Sequence, residues 1–201
     1  MTSESDSPRL TPSVGPRDHS QGPAEAPVTL VQYGDFQCPY CGEAYGIVKG
    51  IQKQLGARLR FVFRNFPLTN VHPYAALAAE AAEASGAQGK FWEMHDLLYE
   101  HQSALTEPDL LRYAHELGLD TKRFASELRD HVHAQRVRED FMSGVRSGVN
   151  GTPTFYVNEV RHNGSYEPEA LLEAIEAAMP SGASTGRGHA RSTSPRKRTT
   201  G

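Results

Sequence analysis

A β-rich, largely apolar run, Pro27–Val28–Thr29–Leu30–Val31–Gln32–Tyr33, gives way after four residues (Gly34–Asp35–Phe36–Gln37) to Cys38–Pro39–Tyr40–Cys41 and a helical pattern. So apolar a run reads as a buried strand, which commits the chain to a sheet that other elements cover. The helix is expected from Pro39 to about Leu55, with Tyr45, Val48, Ile51, Gln52 and Leu55 near one face and Gly56 as its stop. Pro39 suits the first helical position, because the N–H it lacks would go unpaired there anyway. Cys38 then lies at the helix N-terminus, where unpaired N–H groups and the helix dipole favour an anion. A thiol so placed has its pKa lowered from about 8.5 into roughly 3.5–7.5. Cys38 is therefore the expected nucleophile, exposed and of low pKa. Cys41, one turn later, is the expected resolving thiol, sheltered beneath it.

These are the only two cysteines of the 201 residues. A disulfide across so short a loop constrains little of the unfolded chain, so reactivity explains the pair better than stapling does. A zinc site would need two further ligands. No second CxxC exists, and His131 and His133, two apart, fall on different helix faces. No metal is expected.

Leu59–Phe66 alternates and reads as a second strand, and from His72 to about Gly148 the pattern is helical. Within that block Thr106–Asp109 opens one helix, Asp120 caps another, and a longer one is expected over His131–Val145. Glu80, Glu83, Glu93 and Glu100 read as solvated helix faces, and Phe91 with Trp92 as filling of the helical block. Strand pattern returns in Thr154–Val157 and Glu159–His162, Asn163–Gly164 marks a turn, and Pro168 opens a last helix. The order β, α, β, helical block, β, β, α describes an α/β domain, a small mixed sheet with helices on both faces. Residues 1–23 read as a disordered arm, 24–180 as the domain with its helical insertion at about 70–148, and 181–201 as a disordered tail.

The tail holds five basic residues from Arg187 on and no acid, within a net charge of −3. The body is thus mildly acidic, which argues against nucleic acid as a partner. No apolar run approaches the roughly 18 residues of a membrane span, and the first residues lack the basic and apolar regions of a leader. The expectation is a cytoplasmic protein with no membrane partner.

Gly151–Thr152–Pro153–Thr154–Phe155 reads as a tight turn at a strand start, where a cis peptide is one of the outcomes open to an X–Pro bond. With the cysteine motif it makes the sequence recognisable. The chain resembles the DsbA-like branch of the thioredoxin superfamily in Asp18–His19, Gly22, Ala26–Cys41, Phe63–Pro67 with His72–Pro73–Tyr74, Phe91–Trp92 and Gly151–Phe155, over about residues 18–179. The resemblance implies a thioredoxin fold with a helical subdomain inserted between the second and third strands. It also implies a cis bond at Thr152–Pro153 packed against the cysteines, with the Thr152 backbone pairing a substrate strand. Phe36, Pro39 and Tyr40 complete the expected substrate surface.

Two residues depart from the pattern. Gln32 stands where many relatives carry a buried acid that accepts the resolving thiol's proton, which leaves water or Glu43 for that duty. Tyr40 stands where strongly oxidising relatives have a histidine, and it supplies no positive charge at neutral pH. A potential less oxidising than about −120 mV is expected. Pro39–Tyr40 is also the dipeptide of glutaredoxins, which lack the helical block.

The expected activity is thiol–disulfide exchange with protein or peptide thiols and disulfides, by a monomer or weak dimer that needs no cofactor. Its redox partner would be glutathione or another thiol protein. The alternatives are a glutathione-linked or detoxifying oxidoreductase of small molecules, and a non-catalytic peptide-binding module.

Overall fold

The computed structural model describes residues 8–180. Strand β1 (His19–Gln21) is followed by β2 (Val28–Gly34), α1 (Pro39–Leu55), a turn of 3₁₀ helix and β3 (Leu59–Asn65). The block α2 (Ala75–Gly86), α3 (Phe91–Glu100), α4 (Glu107–Glu116), α5 (Thr121–Arg129) and α6 (Ala134–Arg146) then intervenes before β4 (Thr154–Val157), β5 (Val160–Arg161) and α7 (Pro168–Ala177).

The five strands lie in the order β1-β3-β2-β4-β5. β2 and β3 are parallel, with Leu30 opposite Phe61, and the other pairs are antiparallel. β2 is central and buried on both sides, which is why it lacks an alternating pattern. Its Leu30, with Phe61, Phe63 and Phe155, faces a core that α1, α7 and most of the helical block complete. Its Val31 and Tyr33, with Val62 and Tyr156, face a second, smaller core to which Leu10, Phe66, Val149 and Phe141 contribute.

That second core corrects the reading of the N-terminal arm. From Pro8 the chain lies on the sheet: Leu10 is 4% exposed, its N–H donates to the Glu159 carbonyl, and Arg9 bridges to Val160. β1 pairs His19 with Phe63 at the sheet edge. Polar side chains hide this order from a periodicity reading, because the segment is held by backbone bonds, one buried leucine and the bonds it accepts from the Arg64 guanidinium. Residues 1–7 and the basic tail fall outside the described residues.

Three smaller expectations are also corrected. Glu159 is not in a strand: Asn158 and Glu159, with φ of 45° and 69°, form the two-residue turn that joins β4 to β5. Asn163–Gly164 lies in the connection to α7 instead. The helix expected from His131 starts at Ala134, since His131 takes φ 51° and separates α5 from α6. Glu80 and Glu83 are buried, not solvated. Glu83 accepts from Asn65 Nδ2 at 2.7 Å and pairs with His19 at 2.9 Å, and Glu80 pairs with His131.

Candidate active site

The loop Asp35–Gln37 is fixed from below before the cysteines begin. Asp35 is buried, and its carboxylate accepts from the N–H groups of Gln37 and Leu68 and pairs with His72 Nδ1, each at 2.8 Å. Gln102, just past α3, donates its Nε2 to the carbonyls of Phe36 and Cys38 at 2.8 Å each, tying the helical block to the cysteine loop. Gly42 admits that side chain, because an added Cβ would meet Gln102 Oε1 at 2.1 Å.

Cys38 occupies the N-cap of α1 and Pro39 its first turn. The Thr152–Pro153 bond is cis, and it sets Thr152 beside the pair, with Cys38 Sγ 3.4 Å from the Thr152 carbonyl oxygen. Both cysteines are free thiols. The Cys38 thiol is brought down to about 5, first by a hydrogen bond from Cys41. Burial works against this, while the Thr152 side chain and the backbone N–H groups of Cys41 and Tyr40 add to it. Cys41 is pushed well up, first by burial and then by its neighbour Cys38. The Asp35 N–H reaches Cys41 Sγ at 3.5 Å.

The two sulfurs differ in acidity, therefore, but not in exposure. Cys38 is 3% exposed and Cys41 is fully buried, so the exposed nucleophile expected from sequence is corrected. The Thr152 carbonyl, 3.4 Å away, is one of the groups that lie against the Cys38 sulfur.

Thr152 and Pro153 are partly buried beside the pair, while Pro39 and Tyr40 are exposed, Tyr40 by 59%. Phe36 is placed otherwise. At 1% exposure it is core, with ring centroids 5.0 Å from Tyr99 and 5.2 Å from Phe63, so it offers nothing to a substrate. Glu43 lies on the exposed side of α1, where it accepts from the Tyr166 hydroxyl at 3.1 Å. Gln32 is buried and its Nε2 has no partner.

Around the loop, Val71 and Tyr74 are exposed large apolar side chains, and Tyr74 N–H donates to the Gln37 side chain at 2.7 Å. A cleft of about 200 Å3 beside Pro153 is lined by Thr154, Arg161, His162 and Tyr166. A larger cleft of about 570 Å3, with Arg17, Arg64 and Arg136 in its walls, shares no residue with the cysteine loop. Asp35, His72, Tyr99 and Gln102 were not marked by the sequence as parts of this site. His72 and Asp35 both stood in the family pattern, though without an assigned role; Tyr99 and Gln102 lack any local signal.

A family profile described as thioredoxin matches residues 15–177. A relative named Na(+)/H(+) antiporter NhaA 1, from Salinispora arenicola, is 53% identical over 170 residues, which cover 85% of this chain and 26% of that protein. The chain thus spans about a quarter of the length of the curated relatives it matches. Among solved structures, a thioredoxin-like oxidoreductase from Silicibacter pomeroyi is similar with TM-score 0.72 and 30% identity, covering 82% of this chain and 93% of that one. BdbD from Bacillus subtilis, in its oxidised form, has TM-score 0.72 and 26% identity over 80% of this chain and 92% of its own. At 18% identity and TM-score 0.70, α-DsbA1 of Wolbachia pipientis shares the fold, over 82% of this chain and 92% of that one.

Proposed function

The chain belongs to the thioredoxin family and is built like its DsbA-type members, and from that premise we propose that it is a thiol–disulfide oxidoreductase acting on protein substrates through Cys38 and Cys41. The observation that carries the proposal is the unequal setting of the two sulfurs: Cys38 at the N-cap of α1, 3.4 Å from the Thr152 carbonyl oxygen and lowered by its surroundings, and Cys41 fully buried a turn away and raised. Exchange needs that asymmetry. A thiolate attacks a substrate disulfide, and a second thiol, protonated until needed, then displaces the substrate from the mixed disulfide.

In the forward sense the Cys38 thiolate bonds to one substrate sulfur and the other leaves as a thiolate. Cys41 then attacks Cys38 Sγ and releases the second substrate sulfur. The pair is oxidised by two electrons and the substrate disulfide is reduced to two thiols; the reverse sequence oxidises a substrate. Because the dithiol itself carries the electrons, this exchange needs no cofactor.

Three features favour a peptide as substrate. The Thr152 backbone lies just before the β4 ladder, which begins with Thr154 opposite Tyr33, so an extended chain can add there as a strand does. Exposed Tyr40, Val71 and Tyr74 give apolar contact around the loop. A chain bound at that surface would also be held against Cys38, whose sulfur lies 3.4 Å from the Thr152 carbonyl oxygen. The polar cleft beside Pro153 supports a second reading, a small thiol such as glutathione as substrate or partner. Transport, the activity named for the antiporter relatives, is not carried over. The match covers a quarter of their length, and among the described residues no helix is long and apolar enough to cross a membrane.

Insulin reduction by dithiothreitol tests the proposal. The unaltered protein is expected to accelerate it and Cys38→Ser to abolish the acceleration; equal rates would defeat the claim of catalysis. Preference for glutathione disulfide over insulin would select the second reading.

A further inference from the structure

Resolution requires Cys41 to lose a proton while it is buried beside another sulfur. The nearby acids are committed elsewhere: Asp35 accepts three hydrogen bonds, Glu43 faces outward, and position 32 is a glutamine. What meets Cys41 from the helical block is Tyr99. Its hydroxyl packs against Gly34, where a Cβ would stand 2.7 Å from it. Gly34 is next to Asp35, whose N–H reaches Cys41 Sγ at 3.5 Å. Burial first, and then the neighbouring Cys41, push the Tyr99 hydroxyl well up. The hydroxyl is buried without a partner.

One turn earlier on α3 is His95, its ring 5.0 Å from that of Tyr99. The spacing of four residues puts both on the same helix face. His95 is 4% exposed, and its Nδ1 lies 3.0 Å from an Asp96 oxygen, so Nδ1 carries the proton and donates it. That leaves the Nε2 lone pair free, and Nε2 too is buried without a partner. Gln32 Nε2 is a third such atom, and all three residues line one small cavity between β2, α1 and α3. The cavity measures about 10 Å3, roughly the room one water needs. Buried polar atoms are rarely left unpaired, and three around one cavity indicate a shared purpose.

We propose that His95 is the proton acceptor for Cys41, reached through the Tyr99 hydroxyl and one water that Gln32 holds in this cavity. The assignment rests on Cys38 and Cys41 being an exchanging dithiol. Tyr99 takes the proton from Cys41 as it hands its own to the water, and the water passes one to His95 Nε2. The Cys41 thiolate then attacks Cys38 Sγ, closing the disulfide and expelling the substrate thiolate. The imidazolium formed is held by Asp96 and yields its proton to solvent on the partly exposed side, where Lys49 Nζ lies 2.5 Å from Asp96. The groups facing His95 are Asp96 and Tyr99 on its own helix, Tyr45 and Lys49 on α1, and His19 of β1. Burial holds His95 below its ordinary value, so it is neutral and ready to accept at neutral pH.

Stopped-flow reaction of the reduced protein with a symmetrical nitrothiobenzoate disulfide separates the steps. A first coloured thiolate leaves when Cys38 attacks, and a second when Cys41 resolves. Tyr99→Phe and His95→Gln are expected to preserve the first phase and slow the second by about 10²-fold at neutral pH. The deficit should shrink as pH rises and hydroxide takes the proton directly. An unchanged second phase in both variants, or equal slowing of both phases, would overturn the relay. A wild-type protein whose second phase did not require Cys41 would remove the oxidoreductase reading itself, whereas normal wild-type kinetics with unaffected variants would remove only the relay.

Discussion

At Cys38 the pKa and the redox potential are two readings of one free energy. The thiolate exists only in the dithiol form, so whatever stabilises it favours reduction of the pair and makes the protein more oxidising. A Cys38 thiol at about 5 lies between the roughly 7 of thioredoxin and the roughly 3.5 of DsbA. The expected potential accordingly lies between about −270 and about −120 mV. The sign of its pH dependence follows. The folded pKa is below the unfolded one, so this stabilisation of the dithiol form is fully present above the unfolded value near 8.5 and lost as pH falls through about 5. Below about pH 5 both thiols take up a proton on reduction and the potential should fall by about 59 mV per pH unit; above it only Cys41 does, and the slope should halve to about 30 mV. Titration against glutathione at several pH values measures this, and a single slope through pH 8 would contradict a Cys38 thiolate. Cys38 and Cys41 could be singled out because theirs is a contiguous motif of local chemistry, and Thr152–Pro153 through the family resemblance; the fold sets the two motifs side by side. Tyr99, His95 and Gln102 could not be, since each acquires its role only when α3 folds back over the loop. Phe36 was misplaced for the same reason: adjacency to a cysteine says nothing about which way an aromatic ring turns.

The elements differ in how much room they leave for change, and two kinds of glycine make opposite predictions. Gly144 lies where α6 crosses the second face of the sheet, and a Cβ there would stand 2.6 Å from the Phe66 ring and 3.1 Å from Tyr33. Alanine is better than glycine in a helix by about 1 kcal/mol, but overpacking of a filled core costs about 1–3 kcal/mol. Gly144→Ala should therefore lower stability by up to about 2 kcal/mol. Gly46 and Gly50, on the exposed side of α1, have nothing within 4 Å of such a Cβ. Replacing either by alanine should raise stability by about 0.4–1 kcal/mol. Urea midpoints of the three variants check the signs, and stabilisation by Gly144→Ala would mean that α6 does not pack as described. Among the elements legible in the sequence, β2, α1, β3, β4 and α7 showed through burial that imposes a period or an apolar run, and the starts of α4 and α5 through their caps at Thr106 and Asp120. β1 is three residues, all partly buried, and β5 is two, so neither is long enough to show alternation. The turn at Asn158–Glu159 was missed because a glutamate with positive φ lacks the usual glycine signal.

The whole molecule depends on its N-terminal segment closing the second face of the sheet, and the lock is Arg64. This guanidinium, 3% exposed, points from β3 into that face. It donates to both Asp18 oxygens at 2.8 and 3.0 Å, to the carbonyls of Pro12 and Ser13, and to the Tyr33 hydroxyl, which uses all five of its N–H groups. Four of those bonds reach residues 12–18, so the segment cannot leave without stranding a buried charge. A chain begun at residue 24, the boundary that composition suggested, would also strip Leu10 from Val31, Tyr33 and Tyr156. Removing one partner of a buried ion pair costs about 3–5 kcal/mol. Asp18→Asn keeps the shape and removes the charge, and should destabilise by an amount near the lower end of that range, about 3 kcal/mol at pH 7. Burial alone would raise the Asp18 carboxyl, but bonds from Arg64 and the Gly15 N–H carry it below its ordinary 3.8. Its folded pKa being depressed, the contribution is whole above the unfolded value and disappears as pH falls through the folded one. Denaturation curves of wild type and Asp18→Asn should stay a constant distance apart from neutrality down to about pH 5, then converge below about pH 4. A gap that persisted undiminished at pH 2 would show that shape, and not charge, holds the segment to the sheet.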